Sequence, residues 1–452
     1  MSVQMIKFQN KKMTSNKDIF KITYPIFLTL VAQNIINVTN TAFLGRVGEV
    51  ELGASAIGGV FYLAIYMVGF GFSQGAQILI GRRNGEKNFG QIGTIFNNGL
   101  IFNLLLSIII FGLSVKGVPV IMKYLVSSEH IYKSSIAYLD WRIYGFFFAF
   151  INVIFRGLYV GITQTRILTI SAILTAVTNI LFDYVLIFGN FGFPKLGIEG
   201  AGISSVIAEA VTTIYLFWHT IYRTDRKLYG LFEFRKVEFK TIMQILELSV
   251  FIMFQYFISI STWFMFFIFI ERMGERPLAV TNIGRSLYIL LMMPGAALST
   301  TVNTLVSNLI GAGRKEEVLP FIRRIVGMVV LIILPILAFT FAFPQLFAGI
   351  YTNDAGLIAA CIPVMRVVAV ANLFCAVSNI IFNGVSGTGN TRTAFAIEFL
   401  TLFFYLSYVY YTAIINPHPV AIVWMSEFIY WTIIGGLGYL YLLKGNWRKK
   451  EI

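Results

Sequence analysis

The sequence predicts an all-α polytopic membrane protein of twelve transmembrane helices, arranged as two pseudo-symmetric six-helix lobes. Three observations carry that prediction. Only 12% of residues are charged and 57% are hydrophobic, whereas an ordinary soluble domain carries about 25% charged residues. Long apolar runs recur along the whole chain, each able to enter a hydrocarbon layer of ~30 Å. One passage is also written twice, as "FLGRVGEVELGASAIGGVFY" at 43–62 and "FIERMGERPLAVTNIGRSLY" at 269–288.

The apolar runs lie near 25–44, 59–80, 99–115, 143–155, 167–189 and 201–218 in the first half. In the second half they lie near 248–270, 278–306, 325–343, 357–382, 393–415 and 420–443. Residues 1–18 are polar and basic and lack a short apolar core before a small-residue cleavage site, so no signal peptide is expected. The mean hydropathy is +0.77.

The net charge of +14 is distributed by side. With a cytoplasmic N-terminus, 25 of the 35 Lys and Arg residues fall on the cytoplasmic side: before the first helix, at 82–87, 156–166, 223–240 and 314–324, at 392 and at 444–450. Such asymmetry places both termini in the cytoplasm, and a plasma (inner) membrane location is expected. No compact basic domain exists to bind nucleic acid. Cys361 and Cys375 fall in one predicted helix, 14 residues apart, too far for a disulfide at 1.5 Å rise per residue. Neither has a His or Cys neighbour at metal spacing, and both read as small apolar fillers.

The duplication runs from 43–85 against 269–311, with 13 identities in 43 positions that include Gly58/Gly284, Tyr62/Tyr288 and Gly69/Gly295. At the same offset of 226, "GITQTR" (161–166) meets "GTGNTR" (387–392). Six helices per copy is an even number, so both copies start on the same face and form a parallel repeat about an axis along the membrane normal. The expected layout is a cytoplasmic segment at 1–18, one lobe at 19–221, a charged cytoplasmic linker at 222–243, a second lobe at 244–443 and a cytoplasmic tail at 444–452. Paired bundles of this kind rock to expose a central site to each side in turn.

Several motifs then take on a familiar order: "YPIFLTLVAQNIINVTNTAFLGRVGEVELGA" in the first helix and loop, "GAQILIGRRNG" at 75–85, "TNILFDYVLIFGNFGFPKLGIEGAGISSVIAE" across helices five and six, and the paired "GxxxTR" loops. Over essentially its full length the chain resembles the multidrug and toxic compound extrusion (MATE) family of secondary exporters. The resemblance implies a V-shaped pair of six-helix lobes. It implies export of organic cations or other amphipathic compounds against inward H+ or Na+ flow, with no enzymatic activity, no cofactor and a monomeric state.

Asp183 lies 17 residues above Arg166, the cytoplasmic start of its helix, which places it about 26 Å up in the outer part of the bilayer. Asn179 is one turn below on the same face. A carboxylate beside a neutral amide suits a proton or a Na+ ion, and equally a helix-capping or cross-linking role near the outer interface. By resemblance, the Asn and Asp of the fifth helix belong to a cation-coupling site. The first helix presents Gln33, Asn34, Asn37, Asn40 and Thr41, a stripe that either lines a cavity or makes interhelical hydrogen bonds of about 0.6–2 kcal/mol. The family usually has Asp where this chain has Asn40, and an Asn cannot titrate. Asp183 must then take the proton alone, or coordinate Na+ with Asn179 and amide oxygens; Ser205, where the family often has Thr, could add a hydroxyl.

In the second half the cavity candidates are Gln255, Asn379, Asn383, Glu398 and Glu427, with Asn372 at the same helical spacing as the other two Asn residues. Helix-to-helix bonding is the alternative for the Asn group, and snorkelling toward the headgroups for Glu398 and Glu427. Glu209 lies near the middle of the sixth helix. Pro25 opens the first helix, either as a bend that reshapes the cavity or as an ordinary helix-start proline. A lipid-linked saccharide flippase is the runner-up, but only Arg142, Arg285 and Arg366 are available in the outer helices to meet a pyrophosphate. A membrane-embedded enzyme is the weaker rival, since His130, His219 and His418 are scattered and no HExxH, GxSxG or phosphate loop occurs.

Overall fold

The computed structural model describes residues 15–126, 128–234 and 237–449. The first fourteen residues of the N-terminal segment, residue 127, two linker residues and the last three of the tail therefore lie outside the described part. Helices follow one another in order: α1 (Asn16–Val47), α2 (Glu49–Gly85), α3 (Phe89–Leu125), α4 (Glu129–Arg142), α5 (Gly145–Gly161), α6 (Arg166–Phe188), α7 (Ile198–Arg223) and α8 (Arg226–Tyr229). The second half continues with α9 (Phe239–Glu271), α10 (Glu275–Gly311), α11 (Val318–Ala342), α12 (Pro344–Ala348), α13 (Ala355–Gly387), α14 (Thr391–Tyr410), α15 (Val420–Val423) and α16 (Ser426–Lys444). Among the described residues there is no strand, and eleven helices are long and apolar enough to cross a membrane. The pair α4 and α5, bent by 55°, makes a twelfth span if taken as one.

Two local expectations change. The fourth apolar run, at 143–155, is only the second part of a span whose first part is α4. The sequence of α4, "EHIYKSSIAYLDWR", is too polar to register as apolar, yet it buries Ser135, Tyr138, Leu139 and Arg142 against its neighbours. Pro25 does not open α1; it lies inside that helix, whose first residue is Asn16. The helix-start reading of Pro25 is thereby corrected, because residues 16–21, four of them polar, already wind as helix before the apolar run begins.

Among the described residues, 28–253 form one compact unit, and 254–449 form a second together with 15–27. The two helices that continue from one unit into the other, α1 and α9, do so at positions separated by the repeat offset of 226 residues. Within the unit of residues 28–253, the core gathers Leu44, Ala54, Tyr62, Phe146 and Phe150. The early part of α9 packs here, where Ser249 Oγ donates to the Phe72 carbonyl at 3.1 Å. The linker is bound rather than freely solvated: Asn97 Oδ1 accepts from the Phe232 amide at 2.9 Å, Asn97 Nδ2 donates to the Gly230 carbonyl at 3.0 Å, and Asn98 Oδ1 accepts from the Glu238 amide at 2.7 Å.

In the other unit the core gathers Phe266, Leu287, Tyr288, Met365, Tyr405 and Trp424. The start of α1 joins it through Thr23, whose Oγ1 is 2.9 Å from Thr301 Oγ1.

The duplicated glycines have a steric cause. A Cβ on Gly161 would lie 2.6 Å from Ile80 Cγ2, and one on Gly387 would lie 3.1 Å from the Asn303 carbonyl carbon and closer still to its oxygen. Each glycine thus lets the end of one helix cross another at backbone distance, α5 on α2 and α13 on α10, as small residues do between membrane helices. Gly387→Ala is expected to destabilise the protein by about 1–3 kcal/mol through overpacking, read as a lower unfolding midpoint in detergent. An unchanged midpoint would show that the Asn303 backbone yields without cost.

Candidate functional site

The polar cluster around Asp183 is assembled from α1, α6 and α7. Its framework is small-residue packing: Ala32 of α1 is buried with Ala172 and Ala176 of α6, with Ile36 against them. Close approach at these alanines brings Asn40, about two turns further along α1, up to the polar face of α6. Asp183 is fully buried and Asn179 is 1% exposed.

Ser204 Oγ donates to Asp183 Oδ1. The carboxamide of Asn40, oriented so that its nitrogen meets acceptors, donates to Asp183 Oδ2 at 2.6 Å, to Asn179 Oδ1 at 2.9 Å and to the Ile36 carbonyl at 3.1 Å. Asn179 Nδ2 in turn lies 3.4 Å from both Ser204 Oγ and Ser205 Oγ. Both oxygens of the one carboxylate are therefore met by neutral donors. With the Asn40 amide turned over, its oxygen would instead converge with Asp183 Oδ2, Asn179 Oδ1 and the Ile36 carbonyl, a set of hard oxygen atoms. The cluster can thus serve an ionised acid with amide and hydroxyl donors, a protonated acid, or, after the contacts open, a small cation on oxygen ligands.

All four residues singled out for ion coupling, Asp183, Asn179, Asn40 and Ser205, meet here. Ser204 was not among them. Two adjacent serines are visible in the sequence, but only the rotational phase of α7 against α6 decides that Ser204 takes the direct contact. Gln33 and Asn37 are exposed and Asn34 is half-buried; no hydrogen bond described here ties their side chains to Asp183.

One turn along α7 from Ser205 lies a second polar centre that spacing did not reveal. Arg142 makes a two-pronged pair with Glu209, Nη1 to Oε2 at 3.0 Å and Nη2 to Oε1 at 2.7 Å. Tyr62 Oη donates to the same carboxylate at 3.1 Å, and the guanidinium carbon sits 3.5 Å from the centre of the Tyr62 ring. That ring stacks on Phe146 at 4.6 Å. The pair occupies the break between α4 and α5, and a Cβ on Gly145 would come 2.9 Å from Tyr62 Oη. A Glu inside one predicted span and an Arg at the edge of another were the available signal.

In the other unit Glu398 and Glu427 are 2% and 5% exposed. Snorkelling is thereby corrected for both: each carboxylate is turned into the helix bundle, where hydroxyl and indole donors hold it. Glu398 Oε1 accepts from Ser259 Oγ and from Tyr430 Oη, both at 2.6 Å. Ser259 Oγ also lies 2.8 Å from the backbone carbonyl of Gln255, one turn back on its own helix. Asn379 and Asn383 form a separate pair, Asn383 Nδ2 donating to Asn379 Oδ1 at 2.7 Å.

Comparison with known proteins agrees with this architecture. The MatE family model matches residues 25–185 and 252–411, once in each half. A "Probable multidrug resistance protein NorM" of Thermotoga maritima is 24% identical over 453 residues, covering 96% of this chain and 94% of the relative. A relative of the same description from Pasteurella multocida is 24% identical and covers 89% and 86%. Among solved structures, a mutant of the Vibrio cholerae MATE transporter VcmN superposes with a TM-score of 0.88 at 16% identity, over 96% of this chain and 98% of that one. A MOP superfamily transporter from Pyrococcus furiosus gives 0.87 at 17% identity, over 96% of each chain.

Proposed function

The chain belongs to the MatE family of multidrug efflux transporters, and on that premise we propose that it exports organic cations or other amphipathic compounds by antiport, exchanging H+ or Na+ at Asp183. Members of the family are transporters and not enzymes. Both termini face the cytoplasm of the plasma (inner) membrane, and the two lobes rock to expose the cargo alternately to each side.

The observation that supports this reading best is the Asp183 cluster. One buried carboxylate is surrounded only by neutral groups, Asn40, Asn179 and Ser204. A lone buried charge is costly, and a bound monovalent cation neutralises it. The absence of a second carboxylate at position 40 limits the cluster to one positive charge per cycle. Binding of that cation competes with the donors that now satisfy the carboxylate, so occupancy and the packing of α1 on α6 are linked. This is how an ion gradient would act on the cargo-bearing conformation.

Purified protein in proteoliposomes loaded with a fluorescent organic cation tests the proposal. A proton gradient and a sodium gradient are imposed separately, and one of them is expected to drive release. Movement with neither gradient, for any cation tried, would remove the antiport reading and raise the lipid-linked saccharide flippase in its place.

A further inference from the structure

We propose that Glu427, in the second half of the chain, is a proton-binding residue of the transport cycle, seated in a cage of Tyr288, Trp431 and Tyr405. The inference rests on the reading of the protein as an ion-driven exporter, but its ligand and its residues are separate from those of the Asp183 cluster.

The duplicated tyrosine exposes the site. Tyr62 and Tyr288 are the same position in the two copies of the repeat. Each donates its hydroxyl to a carboxylate on the last long helix of its own half: Tyr62 to the half-buried Glu209 on α7, and Tyr288 to the buried Glu427 on α16. The surroundings then diverge. Glu209 is charge-balanced by Arg142. Among the described residues no cation pairs with Glu427.

What Glu427 has instead is a full set of neutral donors. Oε2 accepts from Tyr288 Oη at 2.6 Å and from Trp431 Nε1 at 3.0 Å, and Oε1 lies 3.5 Å from Tyr405 Oη. Trp431 Nε1 is also 2.7 Å from Tyr288 Oη, so the indole supports the hydroxyl that holds the carboxylate. The remaining titratable groups around it are Cys375 of α13, which faces Tyr288 and Glu427, and Tyr430. Tyr430 packs edge-on against Trp431 at 4.7 Å and hands its own hydroxyl to Glu398.

This chemistry favours a proton over a metal ion. An indole N–H is a donor only and has no lone pair for a cation, and Tyr288 Oη already commits its proton to Oε2. A carboxylate without a counter-charge in a water-poor bundle is held far more cheaply as the neutral acid. Protonation has a ready geometry: the proton adds at Oε1, Tyr405 turns its own O–H away from Oε1 and accepts the new one, and Tyr288 and Trp431 keep their bonds to Oε2. Release returns the same proton to bulk water, restores the carboxylate and lets Tyr405 donate to Oε1 again, with no covalent bond but that O–H made or broken.

Infrared spectroscopy of the purified full-length protein in lipid nanodiscs reads this directly, through the carbonyl stretch of a protonated carboxylic acid. We expect a band in acid buffer that disappears in alkaline buffer, is lost in Glu427→Gln, and survives in Asp183→Asn and Glu398→Gln. Tyr288→Phe, which keeps the acid but removes one of its hydrogen bonds, is expected to move the band to higher frequency. Thermal unfolding confirms that each variant is folded. A spectrum from which Glu427→Gln removes no acid band in either buffer overturns the proposal, as does a Glu427 band that ignores pH. Gradient-driven export by the wild type, measured alongside, tests the antiport reading by itself: its failure would leave the infrared assignment to be read independently.

Discussion

Asp183→Asn is expected to reduce gradient-driven export to the level of protein-free vesicles while leaving the protein folded. Asp183 is the only ionisable side chain in its cluster, and its partners are amides and hydroxyls that cannot carry charge. An amide at this position has the same shape, and one of its two ends can still accept from Ser204. The Asn40 carboxamide can turn to meet the other end, so the hydrogen bonds between α1, α6 and α7 survive. What is lost is the capacity to bind and release a cation, and with it the difference between the ion-bound and ion-free conformations that a gradient acts upon. Ser204→Ala provides the scale. It removes one donor from an otherwise intact carboxylate, a change on the order of 1–3 kcal/mol, and is expected to weaken export without abolishing it. Flux in proteoliposomes under the effective gradient, with unfolding midpoints measured beside it, separates the two effects. Full activity of Asp183→Asn would take Asp183 out of the mechanism.

The legibility of this site in the sequence has a simple physical basis. Asp183 and Asn179 share a helix face, so i, i+4 spacing brings them together without any knowledge of packing. Asn40 was reachable because a polar stripe in an apolar helix must find partners. Ser204 was not, because a helix rotation of one residue decides whether it or Ser205 meets the carboxylate, and rotation is set by contacts with other helices. The span made of α4 and α5 was half visible for a related reason. Its first part, Glu129–Arg142, is polar in composition and is held by burial of Ser135, Tyr138 and Arg142 rather than by hydrophobicity. Glu398 and Glu427 were misplaced near the headgroups because depth was counted from helix ends. Their donors Tyr430, Tyr288 and Trp431 are aromatic residues, which in a chain with 16% aromatic content carry no signal until packing shows which way they point.

Breaking the Arg142–Glu209 pair should have the largest effect on stability. Arg142→Gln leaves the half-buried Glu209 without a counter-charge, and Glu209→Gln leaves the buried guanidinium in the same position. Removal of one partner from a fully buried pair costs about 3–5 kcal/mol, most of it the charge left behind, and this partly buried pair is expected at the lower end of that range. The double replacement by Gln removes both charges and restores neutral hydrogen bonding between amides and Tyr62. It is expected to be more stable than either single variant, which a double-mutant cycle of unfolding free energies would register as a large coupling term. The same series separates packing from function. Glu209 lies one helical turn from Ser205, and the pair fixes α7 against the break between α4 and α5, so a distorted pair displaces Ser204 and Ser205 relative to Asp183. Export should therefore follow stability, falling in both single variants and returning in large part in the double. A double variant that is stable yet transports nothing would mean that the charges themselves, and not the geometry they hold, are needed in the cycle.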